Sequence, residues 1–159
     1  MMKQLTMTLS LAILFVASAD AQRIEITPSG ARPTIRGPER AYTGTAVADV
    51  LFAATEQNHM MAVNVTFEPG AHTAWHNHPA GQYLIVTSGV GWVQERGGQR
   101  LEIRPGDVIW TPPGVVHWHG ATTTNAMSHL AIWEFVDGSG GELMEHVSDE
   151  DYLAETARD

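Results

Sequence analysis

Six of the chain's eight histidines fall between His72 and His129, and four of them form two pairs, His76/His78 and His117/His119, with one residue between partners. Side chains two apart in an extended strand share a face. Each pair therefore presents two imidazoles in one direction, and Gln82 follows His78 closely. Imidazole nitrogen and amide oxygen suit a first-row divalent ion, so His76, His78, His117 and Gln82 make a four-ligand set; the alternative for Gln82 is that it only packs beside the metal. An octahedral ion held by them keeps two positions for substrate or water. All four donors are neutral, which leaves the ion a strong Lewis acid and disfavours higher oxidation states. The chemistry expected is non-redox polarisation of a hydroxyl or carbonyl. The donor set suits manganese or iron, with zinc as the competing ion.

Parity sorts the neighbours. His119 is two residues from His117 and faces the same interior, as a further metal ligand, an acid/base group or a hydrogen-bonded core histidine. On the segment from Met127 to Val136, Met127, His129, Ala131 and Trp133 share one face. With that face inward, His129 is a second imidazole, without a metal bond, that reaches the cavity. A neutral imidazole beside a dication can accept a proton; the alternative for His129 is a buried core residue. Val63, Val65, Phe67, Leu84, Val86 and Trp133 are expected to form an apolar wall suited to a small aromatic or aliphatic substrate. Trp75 and Trp118 alternate with the ligands and are expected to point the other way, into packing.

The elements that must hold these groups read as short strands. Met61–Phe67, Thr73–His78, Gln82–Thr87, Gly91–Glu95, Arg100–Ile103, Val108–Thr111, Val116–Gly120 and Met127–Val136 are separated by Gly/Pro turns such as Glu68-Pro69-Gly70 and Arg104-Pro105-Gly106-Asp107. Gly97-Gly98 joins two of them as a hairpin. The fold class expected is all-β, a small antiparallel barrel or jelly roll, with a short C-terminal helix capped by Ser148. Val47–Ala53 reads as a further strand or a connection.

The spacing also matches a known pattern. Gly70, His76, His78, Gln82 and Gly89 follow G-x5-H-x-H-x3-E-x6-G with Gln for Glu, and Gly106, Pro112, Gly114 and His117 follow G-x5-P-x-G-x2-H-x3-N with Ala121 for Asn. These are the two cupin motifs. The stretches from Val65 to Trp92 and from Pro105 to Ala121, and the run Met127-Ser128-His129-Leu130-Ala131-Ile132-Trp133-Glu134, resemble the small manganese-dependent cupins with hydroxynitrile lyase activity, relatives of the cupin domain of carboxymuconolactone decarboxylases. The resemblance spans roughly Gly44 to Tyr152. It implies metal ligation by His76, His78, Gln82 and His117, and catalytic or substrate-contacting roles for Thr73, His119 and His129. It also implies reversible cleavage of a cyanohydrin to a carbonyl compound and cyanide. Trp133 departs from the pattern, since those lyases can carry a polar Gln on the last strand.

Residues 1–21 read as a secretory leader: Lys3, an apolar stretch from Leu9 to Ala17, and an Ala19-Asp20-Ala21 cleavage site. Residues 22–43 read as an arm in which Arg23–Ile26 is a candidate edge strand, and residues 44–159 as one cupin domain. The protein is then expected in the periplasm or outside the cell, with no membrane association after cleavage. There is no cysteine, so stability must come from packing and metal. With 18 acidic against 9 basic residues, the charge opposes nucleic acid as a partner. A small-molecule substrate and a homo-oligomer are expected. Two other functions fit the same ligands: an oxygen-dependent cupin dioxygenase, and a non-catalytic small-ligand-binding cupin.

Overall fold

The computed structural model describes residues 23–155; the expected leader lies outside them. In chain order the strands are β1 (Ile35–Arg36), β2 (Tyr42–Thr43), β3 (Ala46–Phe52), β4 (Met60–Phe67), β5 (His72–Thr73), β6 (His76–Asn77) and β7 (Gln82–Gly89). They continue with β8 (Gly91–Glu95), β9 (Arg100–Ile103), β10 (Val108–Thr111), β11 (His117–Ala121), β12 (Met127–Glu134) and β13 (Glu142–Leu143), and end in helix α1 (Asp149–Tyr152). One antiparallel sheet runs β1-β3-β4-β12-β7-β10, and the other runs β13-β6-β11-β5-β2, with β8 paired to β11 and β9. The sheets curl face to face into the expected barrel.

The core lies between them because the inward residues are apolar at every second position. Val63, Val65 and Phe67 of β4 are buried and stand opposite Ala131, His129 and Met127 of β12. On the other flank of β12, Leu84 faces Ala131 and Gln82 faces Trp133. Directly opposed side chains on one face are the unit of sheet packing. His129 is thus fixed in the middle of the core, 0% exposed.

The outer face of the second sheet is packed as well. Trp75 and Trp118 point away from the cavity, as their alternation required, and cluster with Val147 and Tyr152. Ser148 caps α1 by accepting the Asp151 N–H at 3.1 Å. Arg100 lies 3.6 Å over the Trp92 ring and donates to the Tyr152 carbonyl, tying the C-terminal segment to β8.

Three expectations about elements are corrected. Arg23–Ile26 is not a strand: Ile24 and Ile26 are 96% and 84% exposed, and the edge strand is Ile35–Arg36, which pairs with Val47 and Ala48. Pro28 and Pro33 break the arm before that point. The segment Thr73–His78 is not one strand. It breaks at Ala74-Trp75, where Ala74 N–H turns to Ala41 O and Trp75 N–H to Glu145 O. The last long strand stops at Glu134, because Val136 pairs with Ser139 in a tight hairpin.

Candidate metal centre and active site

The site is built on the inner face of β5, β6, β7 and β11. His117 on β11 stands directly opposite His76 on β6, and their ring centroids are 4.3 Å apart. His78 follows β6, its ring 5.3 Å from that of His76. Gln82 opens β7 and places its Oε1 2.9 Å from His117 Nε2. Thr73 Oγ1 accepts the His119 backbone N–H at 3.2 Å and so registers β11 against β5. His76, His78, Gln82, His117 and His119 come together in one place, with Thr73 bonded to the His119 backbone and His129 to its ring.

The imidazoles divide by what holds them. Nδ1 of His76 donates to Ala74 O at 2.9 Å, Nδ1 of His78 to Gly140 O at 2.6 Å, and Nδ1 of His117 to Val115 O at 3.0 Å. A carbonyl only accepts, so the proton of each ring sits on Nδ1 and the lone pair on Nε2. That is how metal-binding histidines are oriented by their outer partners. His119 differs: its Nδ1 meets His129 Nε2 at 3.0 Å, so a second imidazole backs it. His119 Nε2 and His78 Nε2 are both buried and unpartnered.

Burial, followed by the repulsion of a charge on His117, holds His76 well below the ordinary imidazole range. Burial, followed by the charge of His129, does the same to His119. Burial alone is the largest cause for His78, which is lowered, and for His117 and His129, each brought down to about 4. At neutral pH all five rings are uncharged. Several lone pairs then converge with no proton between them. His117 Nε2 and Gln82 Oε1 are both acceptors at hydrogen-bond distance, an arrangement that a cation relieves. The residues fit a divalent metal ion.

Among the described residues, one trio has ring nitrogens all within 4.8 Å of one another: His76, His117 and His119. The trio shares two members with the set read from spacing and has His119 where that set has His78. The Nδ1–carbonyl bonds favour His76, His78 and His117 as the oriented ligands. His119 has no such carbonyl on Nδ1, which contacts the His129 imidazole instead.

A cavity of about 390 Å³ opens onto His76, His78, Gln82, His119 and Thr73. Of the expected apolar wall, Val63, Val65 and Trp133 line it together with Ala131, whereas Phe67, Leu84 and Val86 are buried in the core outside its lining; Trp133 lies 5.2 Å from the His78 ring. His119 lines the cavity; His129, expected to reach it, does not, and stands behind His119. Phe67 packs edge-on against His119 at 6.0 Å. Two walls escaped sequence reasoning: Tyr42 of β2 and the Gly140-Gly141 stretch that leads from the Asp137-Gly138 turn into β13. Tyr42 sits in a two-residue strand without periodicity, whereas the glycine pair followed by Glu142 was a visible turn signal.

Comparison with known proteins decides the family. The cupin domain matches residues 63–133, and an (R)-mandelonitrile lyase from Granulicella tundricola is 53% identical over 129 residues, 81% of this chain and 98% of that one. The chain belongs to the cupin family. A crystal structure of a cupin-like protein from Thermotoga maritima, 38% identical, superposes with a TM-score of 0.70 over 84% of this chain and 98% of its own. The polyketide cyclase of Streptomyces resistomycificus shares the fold at a TM-score of 0.63 and 14% identity, over 82% of this chain and 90% of its own. In this cupin the second motif's Asn is Ala121, a fully buried residue whose carbonyl accepts the Tyr152 hydroxyl at 3.0 Å.

Proposed function

We propose that this cupin is a metal-dependent hydroxynitrile lyase, cleaving a cyanohydrin reversibly to a carbonyl compound and cyanide, with His76, His78, Gln82 and His117 as ligands of a manganese ion. The observation that carries the reading is the pair His119–His129: an unpartnered imidazole nitrogen in the cavity, backed by a second imidazole at 3.0 Å. Mere binding of a small ligand requires no such pair. The 53% identity to an (R)-mandelonitrile lyase supports the same chemistry.

A bound divalent ion would supply Lewis acidity, lowering the pKa of a substrate hydroxyl held beside it. The protein's own groups then account for the proton. His119 Nε2 accepts the hydroxyl proton as the bond between the carbinol carbon and the nitrile carbon breaks. The oxygen lone pair becomes the carbonyl π bond, and the breaking bond's electrons leave with cyanide. The resulting imidazolium is stabilised through its Nδ1–H bond to His129 Nε2, and it returns the proton to cyanide, releasing hydrogen cyanide. Thr73 holds the His119 backbone, and Val63, Val65 and Trp133 exclude water from the carbon side of the substrate. Benzaldehyde release from mandelonitrile, measured under nitrogen and under air, should proceed at equal rates. A rate that vanishes without oxygen would assign the site to a dioxygenase.

Export through the leader at residues 1–21, with a periplasmic or secreted destination, and assembly into a homo-oligomer complete the proposal. The exposed pair Tyr83 and Trp110, with ring centroids 4.5 Å apart on the outer face of β7 and β10, supports self-association. Among the described residues no helix is long and apolar enough to cross a membrane.

A further inference from the structure

The turn between β12 and β13 forms one wall of the cavity and has no part in the proton path. Its contact with His78 sets that histidine apart from the other ligands. His76 and His117 are each held by a carbonyl two residues earlier in their own segment. His78 lies beyond the end of β6, and its Nδ1 is held by Gly140, 62 residues away. Local sequence orients two ligands; only the tertiary fold orients the third.

The turn is shaped for that contact. Asp137 and Gly138 both have positive φ, 50° and 80°, the pairing that a tight two-residue hairpin needs. Val136 and Ser139 exchange both backbone hydrogen bonds at 2.9 Å across it. Gly140 then passes against Phe135 and Trp133: a Cβ there would sit 2.7 Å from the Phe135 ring and 2.9 Å from Trp133 Nε1. Gly141 has φ of 148°, and a Cβ on it would run into the Asn77 carbonyl oxygen and lie 3.0 Å from His78 Nδ1. Beyond it, β13 pairs back onto β6, Leu143 opposite His76 and Glu142 opposite Asn77. Two side-chain-free positions bring a backbone carbonyl to the imidazole at a distance that alanine would not allow.

We propose that Gly140 and Gly141 are positioning residues for His78: the Gly140 carbonyl fixes the tautomer and aim of the ring, so that this remote turn sets the affinity of the metal centre without touching the ion. The inference rests on the metal reading above. Outer-shell partners of metal-binding histidines commonly govern affinity by about 10- to 100-fold.

The test is manganese titration of chelator-stripped protein, together with the ¹⁵N spectrum of its histidine side chains. In the metal-free wild type His78 should appear as the tautomer protonated at Nδ1. Gly141→Ala should lose that signature and bind manganese about 10- to 100-fold more weakly. Gly106→Ala is the control for backbone strain, because Gly106 has φ of 95° with nothing near its missing Cβ; it should bind as the wild type does. A folded Gly141→Ala with wild-type affinity overturns the affinity claim, and one that keeps the Nδ1-protonated signature of His78 overturns the positioning claim. Should Gly141→Ala not fold, a wild-type His78 protonated at Nε2 overturns it equally. Absence of manganese binding in the wild type overturns the metal reading and the affinity claim together, whereas loss of the tautomer signature with unchanged affinity in Gly141→Ala overturns the affinity claim alone.

Discussion

The two faces of the β5-β6-β11 sheet carry the same residue types to opposite ends. His72 on the outer face and His119 on the inner face are both buried, and each has an Nε2 without a partner. His72, however, stacks on the Tyr152 ring at 4.2 Å and 17° and lies against Trp118. Its neighbours are aromatic and close-packed. His119 shares its space with His76, His117 and His129, and with a cavity. One orphaned nitrogen against a ring is packing. Two, His78 Nε2 and His119 Nε2, on one void beside His76 and Gln82, make a site.

The largest effects should separate two neighbours on β11. His117→Ala should abolish metal binding and turnover together, because both ligand groupings include His117. Trp118→Ala should leave turnover per folded molecule near wild type but cost about 3–5 kcal/mol of stability, the usual loss for a buried large aromatic. Metal analysis, a mandelonitrile assay and denaturant melts of the two variants would show it. Loss of metal in Trp118→Ala at full folding would dissolve the distinction between the faces.

Acid should act through the inner face. A histidine whose folded pKa is depressed is neutral in the folded state while its unfolded counterpart, at about 6.5, takes up a proton. Stability is therefore unaffected above that value and falls as pH drops from about 6.5 towards 4, where His129 and His117 finally protonate. His129 alone accounts for roughly 3 kcal/mol across that window. His129→Leu should flatten the pH dependence of the melting midpoint in chelator-stripped protein between those limits. An unchanged slope would mean that His129 is charged in the folded state.

The smallest effect belongs to the outer histidine. His72→Phe keeps a flat ring on Tyr152 and removes an unpartnered nitrogen, at the cost of the bond to Gly70 O. Stability should change by less than about 1.5 kcal/mol, as for shape-conserving core swaps, and turnover should not change. A large loss of activity would extend the site through the sheet.

Much of this was legible in the sequence where the physics is local. The alternation of Val63, Val65 and Phe67, and of Gln82, Leu84 and Val86, placed both walls of the barrel, and the glycine turn at Gly97-Gly98 gave β8 and β9 their bounds. The parity of Met127, His129 and Ala131 correctly turned His129 inward. What parity cannot tell is depth: His129 points into the core but stops behind His119, because Phe67 and Val65 occupy the space beside it. The two-residue strands β2 and β13 were invisible for a related reason. They exist only through pairing with β5 and β6, so Tyr42 and the Gly140 carbonyl reach the site by contacts no local pattern records. The resemblance to manganese-dependent lyases supplied Thr73, whose hydroxyl is used structurally on His119 N–H.

The central claim divides the imidazoles into ligands and a proton carrier, and one paired measurement tests it most directly: bound metal and mandelonitrile turnover in His78→Ala and His119→Ala. The account predicts that His119→Ala retains the wild-type metal content while turnover falls by about two to four orders of magnitude, the range for a general acid/base, and that His78→Ala loses metal. Retention of metal by His78→Ala and its loss from His119→Ala would contradict the account and make His76, His117 and His119 the metal centre.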